Sequence, residues 1–238
     1  TVKKGEIFGI GGLAGQGKLG ISNGIHGLYP AGGEITFNGK KLPLNSTYNM
    51  LKSGLSFVSE DRRGVGLLLD EPIYWNVTFN AMQVQDRFIK RLLWGLIRWR
   101  DDSAMKKCTE EYVEELQIKC TGTAQYAKQL SGGNQQKLCL AKAFAMEPEL
   151  LIVSEPTRGI DVGAKSLVLD ALSRYNEKRD TTIVMVSSEL QELRSICDRI
   201  AIISEGRVAG ILPPDAPSAD FGLLMSNVND TGKEGEIN

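Results

Sequence analysis

Glu6-Ile7-Phe8-Gly9-Ile10, followed by Gly12-Leu13-Ala14-Gly15-Gln16-Gly17-Lys18, is the stretch on which the fold turns. The first five residues suit a buried strand and the next seven form a glycine-rich loop. Lys18 to Leu28 then has helical length, although Gly20, Gly24 and Gly27 weaken it. In a strand, GxxxxGK loop and helix so arranged, backbone N–H groups cradle a β-phosphate and the lysine reaches the β- and γ-oxygens as a point charge. The candidate nucleotide-binding positions are therefore Gly12, Gly15, Gln16, Gly17, Lys18, Leu19 and Gly20. The last position of such a loop normally carries Ser or Thr, whose hydroxyl ligates Mg²⁺. Here it is Leu19, which has no oxygen to offer.

Working outward, Pro30 to Gly33 turns the chain into an alternating strand at Glu34 to Gly39, Leu51-Lys52 ends a short helix, and Gly54 to Val58 is a strand running into Ser59-Glu60-Asp61-Arg62. Leu150 to Val153 and Thr182 to Val186 are continuous apolar runs of the length that central parallel strands need. Lys165 to Lys178 between them has the period of a crossover helix, and Ile200 to Ala209 reads as a hairpin about Glu205-Gly206. Alternation of strands and helices predicts an α/β fold, a phosphate-loop NTPase core with a mainly parallel sheet between helices.

From about Thr78 to Gln129 the pattern is helical. Phe79, Met82 and Val84 lead into Phe88, Leu92, Leu93, Leu96 and Ile97, and a second amphipathic helix spans Ser103 to about Ile118. The expected organisation is a discontinuous core at 1–77 and 130–212 with a small β part, an inserted helical subdomain at 78–129, and a tail at 213–238, disordered past about Ser226. A strand begins almost at once after Thr1, with no initiator Met, which predicts a domain excised from a longer chain.

Composition narrows the classes. With 238 residues, 42% of them hydrophobic, the chain can bury a substantial core. The 28 basic residues against 29 acidic ones leave a formal charge of −1, so nothing in the overall balance points to nucleic acid. Cys108, Cys120, Cys139 and Cys197 show neither a CxxC pair nor a metal spacing, and read as reduced structural thiols. No run reaches the ~20 apolar residues of a membrane span.

The second glycine-bearing turn is Leu130-Ser131-Gly132-Gly133-Asn134-Gln135-Gln136-Lys137, which runs into the apolar pattern of Leu138, Leu140, Ala141, Phe144 and Ala145. Ser131 is placed to cap that helix, leaving N–H groups that attract anions. After it, Leu150 to Val153 ends in Ser154-Glu155-Pro156-Thr157-Arg158-Gly159-Ile160-Asp161. In company with the phosphate loop, this run resembles the signature of ABC-type ATPases, in the LSGGNQQK form of importers of sugars and related small solutes. The resemblance covers nearly all of residues 5 to 212.

It implies a set of roles. Ser131, Gly132, Gly133, Asn134 and Asp161 would complete the ATP site of a partner domain, and Glu155 would be the general base. Glu60 and Ser188 would stand where most members carry a metal-sensing glutamine and a γ-phosphate-contacting histidine, Glu60 being a possible metal ligand. Glu-Asp-Arg and Ser-Ser-Glu resemble the second half of tandem sugar-importer ATPases. Leu19 and Ser154 depart even from that subgroup, since an Asp usually stands at Ser154 to hold Mg²⁺. ATP would bind, with Mg²⁺ weak or absent at the chain's own loop, and hydrolysis there would be slow. The adenine-stacking aromatic of the family would lie upstream of the first strand. His26 reads as structural.

The implied partners are a second ATP-binding domain, as tandem half or homodimer, membrane permease subunits and, indirectly, a solute-binding protein, at the cytoplasmic face of the membrane. The edge from Asp61 to Trp75 would meet the permease. The basic, aromatic run Arg87 to Arg100 is open between a membrane-surface helix, a core-packed helix with a solvated basic face, and part of the permease-docking lobe. Two other readings are a chromosome-maintenance or DNA-repair ATPase, for which the long heptad arms are missing between Lys18 and Leu130, and a structural half that never binds nucleotide.

Overall fold

The computed structural model describes residues 1–92, 94 and 97–226. Its core is a six-stranded sheet in the order β10-β9-β1-β8-β7-β4, where β1 is Ile7–Gly11, β4 Leu55–Val58, β7 Leu150–Ser154, β8 Thr182–Val186, β9 Arg199–Ser204 and β10 Arg207–Leu212. Five strands are parallel, and only β10, at the edge, runs antiparallel. The central strands β1 and β8 are buried at every residue, as their uninterrupted apolar runs require. The α/β class and the mainly parallel sheet expected from the sequence are both present.

Helices cover the sheet. α1 (Lys18–Ile25) follows β1, α5 (Gly132–Phe144) precedes β7, α6 (Val162–Arg179) joins β7 to β8, and α7 (Leu190–Ile196) joins β8 to β9. One face of the sheet carries the larger cluster, in which Leu138, Phe144, Leu151, Leu172, Ile183 and Ile200 are all buried. Phe144 and Tyr175 stack there at 3.7 Å between centroids, and both Tyr175 and Tyr112 donate their hydroxyls to Phe144 O at 3.1 Å. The other face holds Phe8, Ile10, Ile152, Val184 and Val186, against which Leu19, Ile25 and Phe57 pack. A cleft of about 1230 Å³ opens beside Phe8, Ile10 and Ile152 and beneath the small ribbon of β2 (Thr36–Phe37) and β3 (Lys40–Lys41); its lining includes no residue of 12–18. A short helix, α2 (Thr47–Lys52), leads into β4 and is capped by Ser46, whose Oγ accepts from Asn49 N.

Between β4 and α5 lie α3 (Ile73–Gln85) and α4 (Asp102–Glu115). The helix expected through Phe88 to Ile97 is not there. Asp86 ends α3 in the left-handed region at φ 56°, and the chain then forms an exposed antiparallel ribbon of β5 (Ile89–Leu92) and β6 (Ile97–Arg100). Arg91 and Arg98 face each other across it, a like-charge pairing that is unfavourable alone. Asp86 relieves it, accepting from Arg91 at 2.7 Å and also from Arg98. Past β10, a further helix α8 (Ser218–Ser226) seats Phe221 fully buried, so the stretch from 213 to 226 is ordered against the core. The disorder expected past Ser226 lies outside the described residues.

Candidate nucleotide site and signature turn

Four strands bring the candidate residues together, because β1, β8, β7 and β4 are neighbours and end at the same edge. Gly12 follows β1, Glu155 follows β7, Ser187 and Ser188 follow β8, and Ser59 and Glu60 follow β4. Ligands of open α/β sheets bind in the crevice outside the carboxyl ends of the strands.

The loop from Gly12 to Lys18 owes its shape to three positive φ angles, at Gly12, Gly15 and Gly17. At Gly12 a Cβ would lie 2.3 Å from Ile203 O, whereas at Gly15 and Gly17 it would meet nothing within 4 Å. The first glycine is thus needed for packing, and the other two leave the backbone open to a ligand. Gln16 accepts from Glu205 N at 2.5 Å, fastening the loop to the β9–β10 turn. Lys18 is only 3% exposed, and its ammonium donates to Gly12 O at 3.1 Å and Leu13 O at 3.2 Å. Among the described residues no carboxylate lies within salt-bridge distance of it. A buried cation satisfied by neutral carbonyls at the N-terminus of a helix is a site in want of an anion.

Leu19 turns the other way and packs on the cluster of Phe8, Ile10 and Ile152. One helical turn on, Ser22 donates to Leu19 O at 3.0 Å and shares a hydrogen bond of 3.2 Å with Ser154, both hydroxyls being fully buried. The sequence offered a signal for this that the motif reading passed over, since Ser22 stands three residues after Leu19 on α1. Magnesium requires a near-octahedral shell of hard oxygens at ~2.0–2.1 Å. The residues here do not fit that demand: a leucine replaces the hydroxyl, and Ser154 supplies a neutral oxygen already engaged by another.

The remaining acids are also engaged. Glu60 accepts from Asn23 Nδ2 at 3.0 Å and from Ser59 Oγ at 3.4 Å. Glu155 is 9% exposed, sits at φ 47° and accepts from Ser188 Oγ at 2.5 Å. A non-glycine residue held in the left-handed region costs of order 1–3 kcal/mol, and such strain clusters at functional ends of strands. Beneath it, buried Glu192 accepts from Thr157 Oγ1 and, at 2.9 Å, from Ser187 Oγ, tying the loop after β7 to the loop after β8. Among the described residues no group of three His, Cys, Asp or Glu is arranged to hold a metal.

The signature turn forms a separate edge. Ser131 is the N-cap of α5 by backbone geometry, but its side chain makes no capping bond, contrary to the expectation from sequence. Its Oγ instead accepts from Asn134 Nδ2 at 2.9 Å, while Asn134 Oδ1 accepts from Lys119 N at 2.9 Å. Gly132 and Gly133 pack where a Cβ would lie 3.5 Å from Gly159 O and 3.1 Å from Ala164 Cβ. Asp161 caps α6, accepting from Ala164 N at 2.9 Å. Arg62, read in the sequence only as part of Glu-Asp-Arg, stitches this edge together by donating to Arg158 O at 2.8 Å and Gln136 Oε1 at 3.4 Å. Among the described residues no hydrogen bond joins 131–134 to the phosphate loop.

His26, the C-cap of α1, is structural as expected. It stacks on Phe57 at 4.5 Å and 18°, with neither ring nitrogen bonded, and burial pushes its imidazole down to about 4. Burial also raises the thiols of Cys139 and Cys197 to about 12, so both are inert.

A phosphate loop after the first strand of a parallel sheet, a carboxylate at the end of β7 and a second glycine turn opening the helix before β7 define a nucleotide-binding cassette. Residues 1–158 match the family model described as ABC transporter, and the chain belongs to that family. It is 38% identical over 216 residues, 90% of its length, to the ribose import ATP-binding protein RbsA of Clostridium perfringens, covering 41% of that protein. Against the xylose import ATP-binding protein XylG of Moorella thermoacetica it is 39% identical over 211 residues, covering 88% of this chain and 40% of the relative. The chain thus spans about two fifths of the length of these relatives. Among solved structures, the dimeric post-hydrolysis state of the ATP-binding cassette MJ0796 bound to ADP and Pi superposes with a TM-score of 0.73 at 22% identity, over 91% of this chain and 89% of that one. The structure of cbiO1 from Clostridium perfringens, part of the cbiONQ complex, gives 0.72 at 22%, over 97% and 86%. At that identity the likeness concerns the fold.

Proposed function

We propose that the chain is one ATP-binding domain of an importer ATPase for a sugar of the ribose or xylose kind, working at the cytoplasmic face of the membrane against permease subunits that receive solute from a binding protein. Its own phosphate loop holds ATP loosely and cleaves it slowly. Its signature turn, with Ser131, Gly132, Gly133, Asn134 and Asp161, completes the ATP site of a second domain, which in relatives more than twice as long is most simply the other half of a tandem chain.

The observation that carries this reading is the pairing at α1: Lys18 buried with no carboxylate in reach among the described residues, close to Leu19 and the Ser22–Ser154 hydroxyl pair where the motif would call for metal oxygens. The loop keeps its electrostatic demand for phosphate and lacks the oxygens for a cation. Metal-assisted neutralisation contributes several kcal/mol to phosphoryl-transfer transition states, so turnover at this loop should fall at least ~100-fold below that of a complete site. Glu155, bonded by Ser188, remains placed to orient water.

Equilibrium binding of ATP with Mg²⁺ and with a chelator tests the reading. For the chain as it stands the affinity should change less than about threefold, and for Leu19→Ser with Ser154→Asp it should become about tenfold tighter with the metal. Tight, metal-dependent binding with turnover by the unaltered chain would overturn the weak-site reading, and failure to bind ATP at all would leave a purely structural half.

A further inference from the structure

The β5–β6 ribbon is the part of the fold that the nucleotide chemistry does not use. Its register pairs Lys90 with Trp99 and Leu92 with Ile97, so these four side chains share one face, while Arg91 and Arg98 share the other. Leu92, Ile97 and Trp99 are all exposed, and Trp94, in the turn between the strands, is fully so. Apolar groups on a projecting two-stranded ribbon have no cavity in which to bury themselves, and each remains in water at a cost.

Charge distinguishes the face further. From Asp86 to Asp102 there are five basic residues, Arg87, Lys90, Arg91, Arg98 and Arg100, against three acidic ones, and Glu147 pairs with Arg87, which leaves one cation in excess where the whole chain carries −1. Asp86 serves both arginines of the cross-strand pair, leaving the ribbon's outer end with cation in excess. Lys90 and Arg100 are held by Asp101 and Asp102 at its base. Tryptophan with aliphatic neighbours at a tip and arginine behind it is the composition that settles at a headgroup boundary, the ring among glycerol and acyl groups and the guanidinium on phosphate.

We propose that this ribbon is a lipid-contacting element: Trp94, Leu92 and Ile97 enter the interface of an anionic bilayer, and Arg91 and Arg98 bind its phosphates. It would orient the domain on the membrane independently of any permease. This contact needs no nucleotide, so it stands or falls apart from the reading of the ATP site.

The test uses the full chain and extruded vesicles of phosphatidylcholine alone or mixed with phosphatidylglycerol. Co-sedimentation should occur with the anionic vesicles, weaken in high salt, and fall about tenfold in Trp94→Ser. Trp94→Phe should keep most of the binding, while losing the larger part of the quenching of tryptophan emission that acyl-brominated lipids produce in the parent, Trp75 and Trp99 remaining. ATP binding, measured on the same samples, should be equal in parent and variants, showing that the fold is intact. Equal sedimentation with neutral and anionic vesicles, or Trp94→Ser binding like the parent, would overturn the proposal. So would association only with vesicles that contain a permease, which would assign the ribbon to a protein contact.

Discussion

Two glycine-bearing turns open helices in this chain, and they are built to opposite ends. At α1 the cap is Gly17 in the left-handed region, and Lys18 lies buried inside the turn. At α5 the cap is Ser131 in extended geometry, exposed, with its hydroxyl bracketed by Asn134. Both present N–H groups and the positive end of a helix dipole. The first has a cation within and turns Leu19 into the apolar cluster beneath it; the second lies at an exposed edge, its serine bonded to Asn134. A helix N-terminus therefore says little about a phosphate site until its neighbours are counted, and the proposed division of labour, one turn holding an anion and the other closing over a partner's, rests on those neighbours.

The sharpest way to break that contrast is Ser131→Arg. The position is exposed, so the larger side chain fits without unfolding the domain. In the assembled ATPase, where the turn would face a partner's triphosphate, turnover should drop by about 10²–10³, as for loss of one preorganised transition-state donor. The isolated chain should bind ATP as before. Unchanged turnover in the assembly would remove the signature turn from the chemistry.

The contrast extends to what could be read without coordinates. Leu151 to Val153 and Thr182 to Val186 are buried on both faces, so nothing but an apolar run is possible there and the run identifies the strand. The glycine loop was legible because its backbone must adopt angles other residues avoid. The ribbon was not, since Phe88, Leu92 and Leu96 fall four apart in the sequence, as on a helix face, and a four-residue strand is too short to assert its own period. What decides for strand is tertiary and local at once: Asp86 stops α3 and then binds both arginines that only a hairpin would bring together. The Ser22–Ser154 bond was hidden for a related reason, as it joins residues 132 apart in sequence and replaces a motif rather than matching one.

A second measurement probes the far end of α1. His26 is neutral when folded, its imidazole lowered to about 4 by burial against Phe57, while in the unfolded chain it titrates near 6.5. Between those values the unfolded state binds the extra proton, so stability is complete above about pH 6.5 and is lost as pH falls towards 4. The slope is about 1.4 kcal/mol per pH unit, roughly 3 kcal/mol in all. His26→Phe keeps the stack and removes the titration. Its chemical-denaturation midpoint should drop less steeply with acid than the parent's; parallel curves would mean that the ring is protonated in place and that α1 is less tightly sealed than its two unbonded nitrogens imply.

The smallest effect is expected at Asn134, and it separates shape from chemistry at the signature turn. Asn134 joins Ser131 to Lys119 N, so it fixes the turn to the segment that follows α4. Both bonds are exposed to water, which replaces them in part, and Asn134→Ala should cost only about 1 kcal/mol, a fall of roughly 2–4 °C in Tm for a domain of this size. Asn134→Asp keeps an acceptor for Lys119 N and lets the Ser131 hydroxyl reverse and donate, so its Tm should lie between the two. If the turn acts only as a shaped edge, the aspartate variant should also retain turnover in the assembly. If Ser131 must present its proton outward to a γ-phosphate, the same variant should be stable and slow, because the carboxylate holds that proton and adds a negative charge beside the triphosphate.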